Sequence, residues 1–548
     1  MSAPRYRLVG LSLPVDAPQT ALLEAFERRT GLGMAEVESL QMVKRSLDAR
    51  REGGAPKLSF VYQLEFGLRS DSSARRSPAL GRLEKSGALL PARVLPKLRV
   101  ERAAEELRVG RTPIAVLGAG PAGLFAAWML AAQDLPVVVI DRGSSIERRG
   151  RELVRFHRTR IPDPESNLLF GEGGAGTYSD GKLYTRVDDE WELPIVRELV
   201  ACGAPAEILY DSRAHIGTDK LHRVLPALRA RLIERGVEFR WNTRVDGLKV
   251  RERKGVRSVT ALATSAGDLE CRALVLAPGH SARSTFAMLL AAGVVLESKP
   301  FQLGMRIEHP QELIDRAQLG LGAAAESVGP AYYALVSKHS EQANAAFSFC
   351  MCPGGRIVAS VNEPGYLCTN GMSNSRHSSR WANAALVTTI PASADPLGGV
   401  EQQRALEQRF FEAGGGDYTA PAQRASDFLA RRESRGTLHS SYGFGTVPAR
   451  LDALLEPQLV AALEQALLRF ERTIPGFAGD QGLFVGLESR SSGPVRMPRG
   501  REDSRAAGFD NLFPVGEGAG WAGGIMSAAI DGARAARALV ERGLVAAR

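Results

Sequence analysis

Cysteine is scarce in this chain: five residues, Cys202, Cys271, Cys350, Cys352 and Cys368, are scattered through 548 positions. That usage excludes a disulfide framework and fits a reducing compartment. Long apolar runs are missing as well. None reaches the ~20 residues that a membrane-crossing helix needs, so no membrane span is expected. The opening MSAPRYRLVGLSLPVD lacks the apolar core of a secretory signal, so a cytoplasmic location is expected. No internal repeat occurs, and charge of one sign is not segregated. The net charge is +9, but arginines are spread along the chain with acids between them. We read this as a solvated arginine-rich surface rather than a nucleic-acid patch. The length suggests two or three domains with ample core.

Against that background, glycine clusters stand out. From Ile114 the chain reads IAVLGAGPAGLFAAWMLAAQDLPVVVIDRG. Ile114 to Leu117 has the length and apolarity of a buried parallel strand. Gly118, Gly120 and Gly123 follow in GxGxxG spacing, flanking Pro121 and Ala122. The first glycine allows the tight turn, the second lets backbone touch a pyrophosphate, and the third lets the helix pack on the strand. The helix N-terminus offers free N–H groups to phosphate. A second strand, Val137 to Ile140, ends at Asp141 and Arg142. An acid about 20 residues past the glycines is placed to accept ribose hydroxyls. The unit predicts a dinucleotide site.

Three more segments extend the pattern. NLLFGEGGAGTYSDGKLYTR, Asn167 to Arg186, is too rich in glycine for a helix interior. It suits a loop presenting N–H groups and hydroxyls to a polar ligand, with Gly174, Ala175, Gly176, Thr177, Ser179 and Lys182 as candidates. A strand at Ala273 to Leu276 runs into Ala277, Pro278 and Gly279. Near the C-terminus, a strand runs into Gly516 and Glu517. A second glycine-rich turn, Gly523 and Gly524, then precedes a helix beginning at Ile525 and Met526.

The order of these four pieces resembles the glutathione-reductase-like FAD superfamily. Closer still, the chain resembles the large bacterial FAD-dependent dehydrogenase family that carries an N-terminal α/β domain. The strings behind this match are KRSLDAR, FGEGGAGTYSDGKL, HIGTDKL, RIEHPQ, FCMCPGG, TNGMS and GEGAGWAGGIMSAAIDG. The resemblance implies bound FAD and oxidoreductase chemistry, and it implies no particular substrate. It also implies that Gly516-Glu517 holds the ribityl chain, that Ala277-Pro278-Gly279 lies against the FAD, and that the turn at Arg244-Val245 lies against the adenine. The helix from Ile525 would then point its N-terminus at the flavin edge that carries charge on reduction.

The expected fold class is α/β. It combines a Rossmann-like FAD-binding domain in two parts (110–298 and 497–548), an inserted α+β substrate or cap domain (299–496), and a small N-terminal ferredoxin-like domain with a basic connector (1–100). In that small domain, strands are expected at Tyr6 to Leu13 and Lys57 to Leu68, and a helix at Gln19 to Arg29. The basic segment Lys44 to Arg51 is expected in a loop, where it would dock an acidic partner or RNA, or hold two domains together. No second GxGxxG unit is present, so any NAD(P)H would bind transiently.

Four residues are candidates for chemistry. His280 and His309 could each exchange a proton near the flavin or serve structurally. Cys350 and Cys352 form a CxC pair; on an extended strand their Cα atoms would stand roughly 6.6 Å apart on one face. They would act as a strained, reducible dithiol or pack as small hydrophobes. No metal site is expected, because no CxxC or histidine pair completes a ligand set. The function expected is hydride transfer through flavin between a small organic substrate or NAD(P)H and an acceptor. Rival readings are an FAD-dependent RNA-modifying enzyme, an oxidase or monooxygenase, and a flavin sensor without turnover.

Overall fold

The computed structural model describes residues 5–542 except 19, 53–54, 70–76, 93–102, 104, 106–109, 111, 184–188 and 321. Most of the basic connector expected between Arg69 and Arg111 lies outside the described residues.

A five-stranded parallel sheet carries the glycine-rich turns. Its order is Leu512–Pro514, Ala273–Leu276, Ile114–Leu117, Val137–Ile140, Glu238–Arg240. Strands covered on both faces read as unbroken apolar runs; here Val137–Ile140 and Ala273–Leu276 are buried throughout. Helices Pro121–Ala131 and Ile525–Arg542 pack against each other on one side of this sheet. Their contact has no room for a methyl: a Cβ on Gly532 would lie 1.9 Å from the Ala122 carbonyl oxygen. Gly123 plays the same part toward the strand, since its Cβ would lie 1.9 Å from the Gly118 carbonyl oxygen.

A seven-stranded sheet forms the second large layer. Its order is Val336–Ser337, Ala346–Cys352, Trp381–Ile390, Phe301–Pro310, Leu483–Glu488, Ala420–Arg424, Thr446–Pro448. All of its pairs are antiparallel except the last. Helix Pro457–Glu471 covers it with Leu459, Leu463, Leu467 and Phe470.

The N-terminal residues form a four-stranded antiparallel sheet in the order Val37–Asp48, Ser59–Leu68, Arg5–Pro14, Leu89–Pro91. Helices Ala21–Thr30 and Pro78–Lys85 pack against it through Phe26 and Leu80, over Leu8, Leu64 and Phe66. The alternation in Ser59–Leu68 is real, but burial grades along it: Leu64, Phe66 and Leu68 are buried, while Phe60 and Tyr62 are only half-buried.

One expectation is corrected here. Lys44 to Asp48 belong to strand Val37–Asp48 and not to a loop. The charges sit at the end of a strand, so composition alone misread it. Arg45 is a contact between units: it pairs with Asp211 at 2.7 Å, and its guanidinium lies over the Tyr210 and Phe60 rings. Its backbone N–H donates to the Tyr210 carbonyl, and its carbonyl accepts from the Ser212 N–H.

The helix contact gives a stability prediction. Gly532→Ala must displace backbone, and overpacking of this kind costs about 1–3 kcal/mol. Gly150→Ala, in a helix with nothing within 4 Å of the new methyl, should stabilise by up to ~1 kcal/mol. Thermal unfolding followed by circular dichroism should lower the midpoint for the first variant and hold or raise it for the second.

Candidate active site

A cleft of about 800 Å³ opens where the carboxyl ends of the parallel strands meet an edge of the seven-stranded sheet. In open parallel sheets this is where ligands bind. Its walls include Gly118, Gly120, Pro121 and Ala122 from the first turn, Asp141, and Gly174, Ala175, Gly176, Ser179 and Lys182 from the long loop. Ala277, Pro278, Gly279 and His280 contribute, as do Gly516 and Glu517, and Gly523, Gly524, Ile525 and Met526. Cys350 lines the opposite wall, with Phe347, Phe349 and Asn370.

Six expected residues are not among the walls. Gly123 is a helix–strand contact. Arg142 pairs with Glu165 at 2.7 Å and lies over Phe170. Thr177 is buried, with its hydroxyl donating to the Glu172 carbonyl. Val245 begins a strand and turns into the core beside Val259 and Leu274. His309 is fully buried; its Nε2 bonds the Phe477 carbonyl at 2.8 Å and its ring packs on Phe477. Burial pushes that imidazole down to about 4, and its place in the core keeps it away from the cleft. Cys352 is buried behind Cys350, and burial pushes its thiol up to about 12.

The extended geometry expected for the CxC pair is corrected. Cys350 has φ 47°, and the register slips between Phe349 and Cys352. This bulge takes the pair out of regular strand geometry, and both cysteines are free thiols.

The cradle is built from backbone N–H groups held by buried carboxylates. Gly118 takes φ 101°, and a Cβ there would meet the Ala277 carbonyl oxygen at 2.1 Å. Asp141 Oδ2 accepts from Ala119 N–H at 2.8 Å, and Oδ1 accepts from Gly143 and Gly171 N–H at 2.8 and 3.0 Å. One residue thereby joins the first turn, the end of the second strand and the long loop. Asp531 Oδ2 does similar work at the other helix, accepting from Gly516 N–H at 2.7 Å while Arg499 pairs with the same carboxylate.

Arg149, which nothing in the sequence singled out, pins the long loop. It is fully buried and donates to the carbonyls of Asn167, Glu172 and Gly174 at 2.7, 2.7 and 2.9 Å. Its guanidinium also lies over the Tyr178 ring. Burial draws it down to about 10, so it remains a cation at pH 7. The same loop reaches the first turn through Gly173 N–H, which donates to the Ala119 carbonyl at 2.8 Å.

The far end of the cleft is ionic. Glu407, fully buried, accepts from Arg283 at 2.8 and 3.0 Å and from Arg490 at 2.7 and 3.0 Å. Burial alone would raise its carboxyl, but Arg490 and Arg283 pull it down to about 2. Arg490 reaches the cleft wall, and so does Glu488, which pairs with Arg306. His280, bonded through Nδ1 to Ser281 at 2.8 Å, is pushed to about 4 by burial and then by Arg490 and Arg283. It is a neutral imidazole at pH 7. Glu517 is driven up to about 8 by burial, with Lys299 opposing, so it can donate as well as accept toward a polyol.

FAD fits this chemistry. Two helix N-termini, at Pro121 and Ile525, open into one cleft whose nearest surface is glycine backbone without Cβ atoms. Such a surface suits a pyrophosphate.

Comparison with known proteins agrees. The family described as FAD-dependent protein, C-terminal domain-like, matches residues 300–491, and the one described as FAD dependent oxidoreductase matches 196–333. An uncharacterized protein of Clostridium beijerinckii is 35% identical over 543 residues, covering 98% of each chain. The chain belongs to that protein's family. It is an FAD-dependent oxidoreductase, and therefore an enzyme. Among solved structures, it is similar to glycine oxidase from Bacillus cereus at 12% identity, covering 79% of this chain and 95% of that one with a TM-score of 0.30. It is likewise similar to L-proline dehydrogenase from P. horikoshii at 12% identity, covering 79% and 94% with a TM-score of 0.34. No helix among the described residues is long and apolar enough to cross a membrane.

The Glu407 cluster sets an acid limit. Its folded carboxyl lies below the unfolded value, so its contribution is present above about pH 4.5 and is lost as pH falls toward about 2. Glu407→Gln leaves two buried arginines short of a counter-charge and should be less stable at pH 7 than the wild type, by about 3 kcal/mol or more. The gap should narrow between pH 4.5 and 2. Urea unfolding at a series of pH values measures it; a gap independent of pH would contradict the assignment.

Proposed function

We propose that one FAD occupies the cleft and serves a two-electron exchange with a small organic molecule. The observation that carries this reading is the pair of helix N-termini opening side by side into an 800 Å³ cleft lined with glycine. In this reading Gly118, Gly120, Pro121 and Ala122 bind the pyrophosphate through backbone N–H groups. Asp141, with three of its roughly four lone-pair sites already taken by amides, has one left for a ribose hydroxyl. Loop Gly174 to Lys182 and turn Ala277 to Gly279 flank the nucleotide. Glu517 orients the ribityl hydroxyls, and the N-terminus of Ile525–Arg542 faces the flavin edge. Bound flavin supplies hydride acceptance and donation; the chain supplies orientation and field.

The substrate then enters over the wall made by residues 334–336 and 347–350, part of the inserted unit that we read as a substrate domain spanning 299–496. That wall is apolar at Leu335, Phe347 and Phe349 and polar at Asn370, Glu488 and Arg490. It suits a small molecule with an apolar body and a polar end. His280, neutral and fixed by Ser281, is placed to accept a proton there. NADH or NADPH would act as a transient donor in the same cleft. The N-terminal unit, with its strand–helix–strand–strand–helix–strand order, we read as ferredoxin-like.

Purified protein should be yellow and release about one FAD per chain. Gly120→Trp should abolish FAD binding while the midpoint of the apo protein holds. Anaerobic titration with NADH and NADPH then separates donors: bleaching of the flavin band supports nicotinamide as donor, and its absence removes nicotinamide from the account. A colourless protein that refuses added FAD, or a Gly120→Trp variant with full occupancy, overturns the reading.

A further inference from the structure

We propose that Asp180, His215 and His377 form a binding site for one divalent transition-metal ion, zinc or a close chemical neighbour, at the rim of the cleft. The three come from separate parts of the chain: the long loop, the turn before helix Thr218–Glu234, and the loop after strand Thr369–Met372. One donor atom from each lies within 4.8 Å of the others. Zinc bonds near 2.0–2.1 Å require donors about 3.3 Å apart in a tetrahedron. Binding an ion therefore requires the three side chains to draw together from the separations found here.

The arrangement is built rather than incidental. Lys182 and His215 form a backbone bridge, and the Ile216 and Gly217 N–H groups donate to the Gly181 and Asp180 carbonyls at 3.0 and 3.1 Å. This sets Asp180 beside His215. The loop bearing His377 is tied to the same helix start by Ser375, whose N–H and hydroxyl donate to Asp219 at 2.7 and 2.8 Å. His377 sits at φ 50°, in the left-handed region. Gly354 presses on it so closely that a Cβ there would lie 1.9 Å from the His377 carbonyl oxygen.

The chemistry of the donors favours a metal. His377 Nδ1 bonds the Pro353 carbonyl at 2.9 Å, so Nδ1 carries the proton and Nε2 presents a lone pair. That outer hydrogen bond is the usual support of a metal-bound imidazole. No hydrogen bond to the His215 ring is found among the described residues, although the two rings stand only 4.4 Å apart. Two imidazoles and one carboxylate suit zinc, cobalt or iron(II), and three protein ligands leave a coordination position open.

Lys182 works against the site. Its ammonium lies 2.5 Å from Asp180 Oδ2, and Ser373 donates to Oδ1. The ion must therefore share the carboxylate with a cation, which weakens binding and gives the proposal a second handle.

The test uses flavin-loaded protein stripped with EDTA, dialysed against ZnCl2 and counted by plasma mass spectrometry. Thermal midpoints with and without zinc provide an independent readout, because a ligand of the folded state raises them. Wild type should hold about one zinc per chain and melt higher with zinc. His215→Ala and His377→Gln should each lose more than about tenfold in affinity, and Lys182→Met should bind more tightly. Zinc well below one per chain, no midpoint shift in the wild type, or histidine variants that bind like the wild type would overturn the proposal. The wild-type count and midpoint decide even if a variant fails to fold.

Discussion

The cleft depends on a carboxylate that does not need to touch the ligand to matter. Asp141 accepts three backbone N–H groups, from Ala119, Gly143 and Gly171. Each belongs to a glycine-rich stretch with little side chain to hold it in place. Charge-assisted hydrogen bonds of this kind contribute about 1.5–3 kcal/mol each, enough to fix loops that would otherwise sample many conformations. Asp531 repeats the device where the last strand meets the last helix. A surface of backbone amides can therefore stay open toward a pyrophosphate without collapsing on itself.

Further from the amide surface, the buried groups carry full charge. Arg149 threads through the long loop and satisfies its carbonyls, while Glu407 sits between Arg283 and Arg490. Burying such groups is expensive unless every lone pair and proton is matched. Matching explains the dense bonding around Glu407, where Ser489 adds a further donor. The consequence for chemistry lies at His280: burial, and then the two guanidiniums beside it, keep that imidazole uncharged. A neutral histidine in the cleft can take a proton without first having to lose one.

Much of the scaffold was legible in the chain because its physics is local. An apolar strand, three spaced glycines and a terminal acid can arrange themselves in few ways, so Ile114 to Asp141 reads directly, as does the turn at Gly523 and Gly524. What was not legible depends on long-range placement. His280 and His309 look alike in sequence; one reaches the cleft, and the other is locked into the core beside Phe477. Cys350 leaves regular strand geometry at a bulge that nothing in FSFCMCPGG announces. Arg149 lies in a helix crowded with solvated arginines, and burial alone distinguishes it. Asp180, His215 and His377 converge from segments that the sequence offers no reason to pair. Lys44 to Asp48 read as a loop because charge hid its strand periodicity.

The most direct measurement of the account is amide hydrogen exchange in flavin-loaded wild type and Asp141→Ala. The account predicts that Ala119, Gly143 and Gly171 are protected in the wild type. In the variant they should exchange at least about tenfold faster, the equivalent of one charge-assisted hydrogen bond of about 1.5 kcal/mol, while Val116 and Val139 in the parallel sheet stay unchanged. Equal exchange at the three glycine-loop amides in both proteins would contradict the claim that this carboxylate holds the cradle.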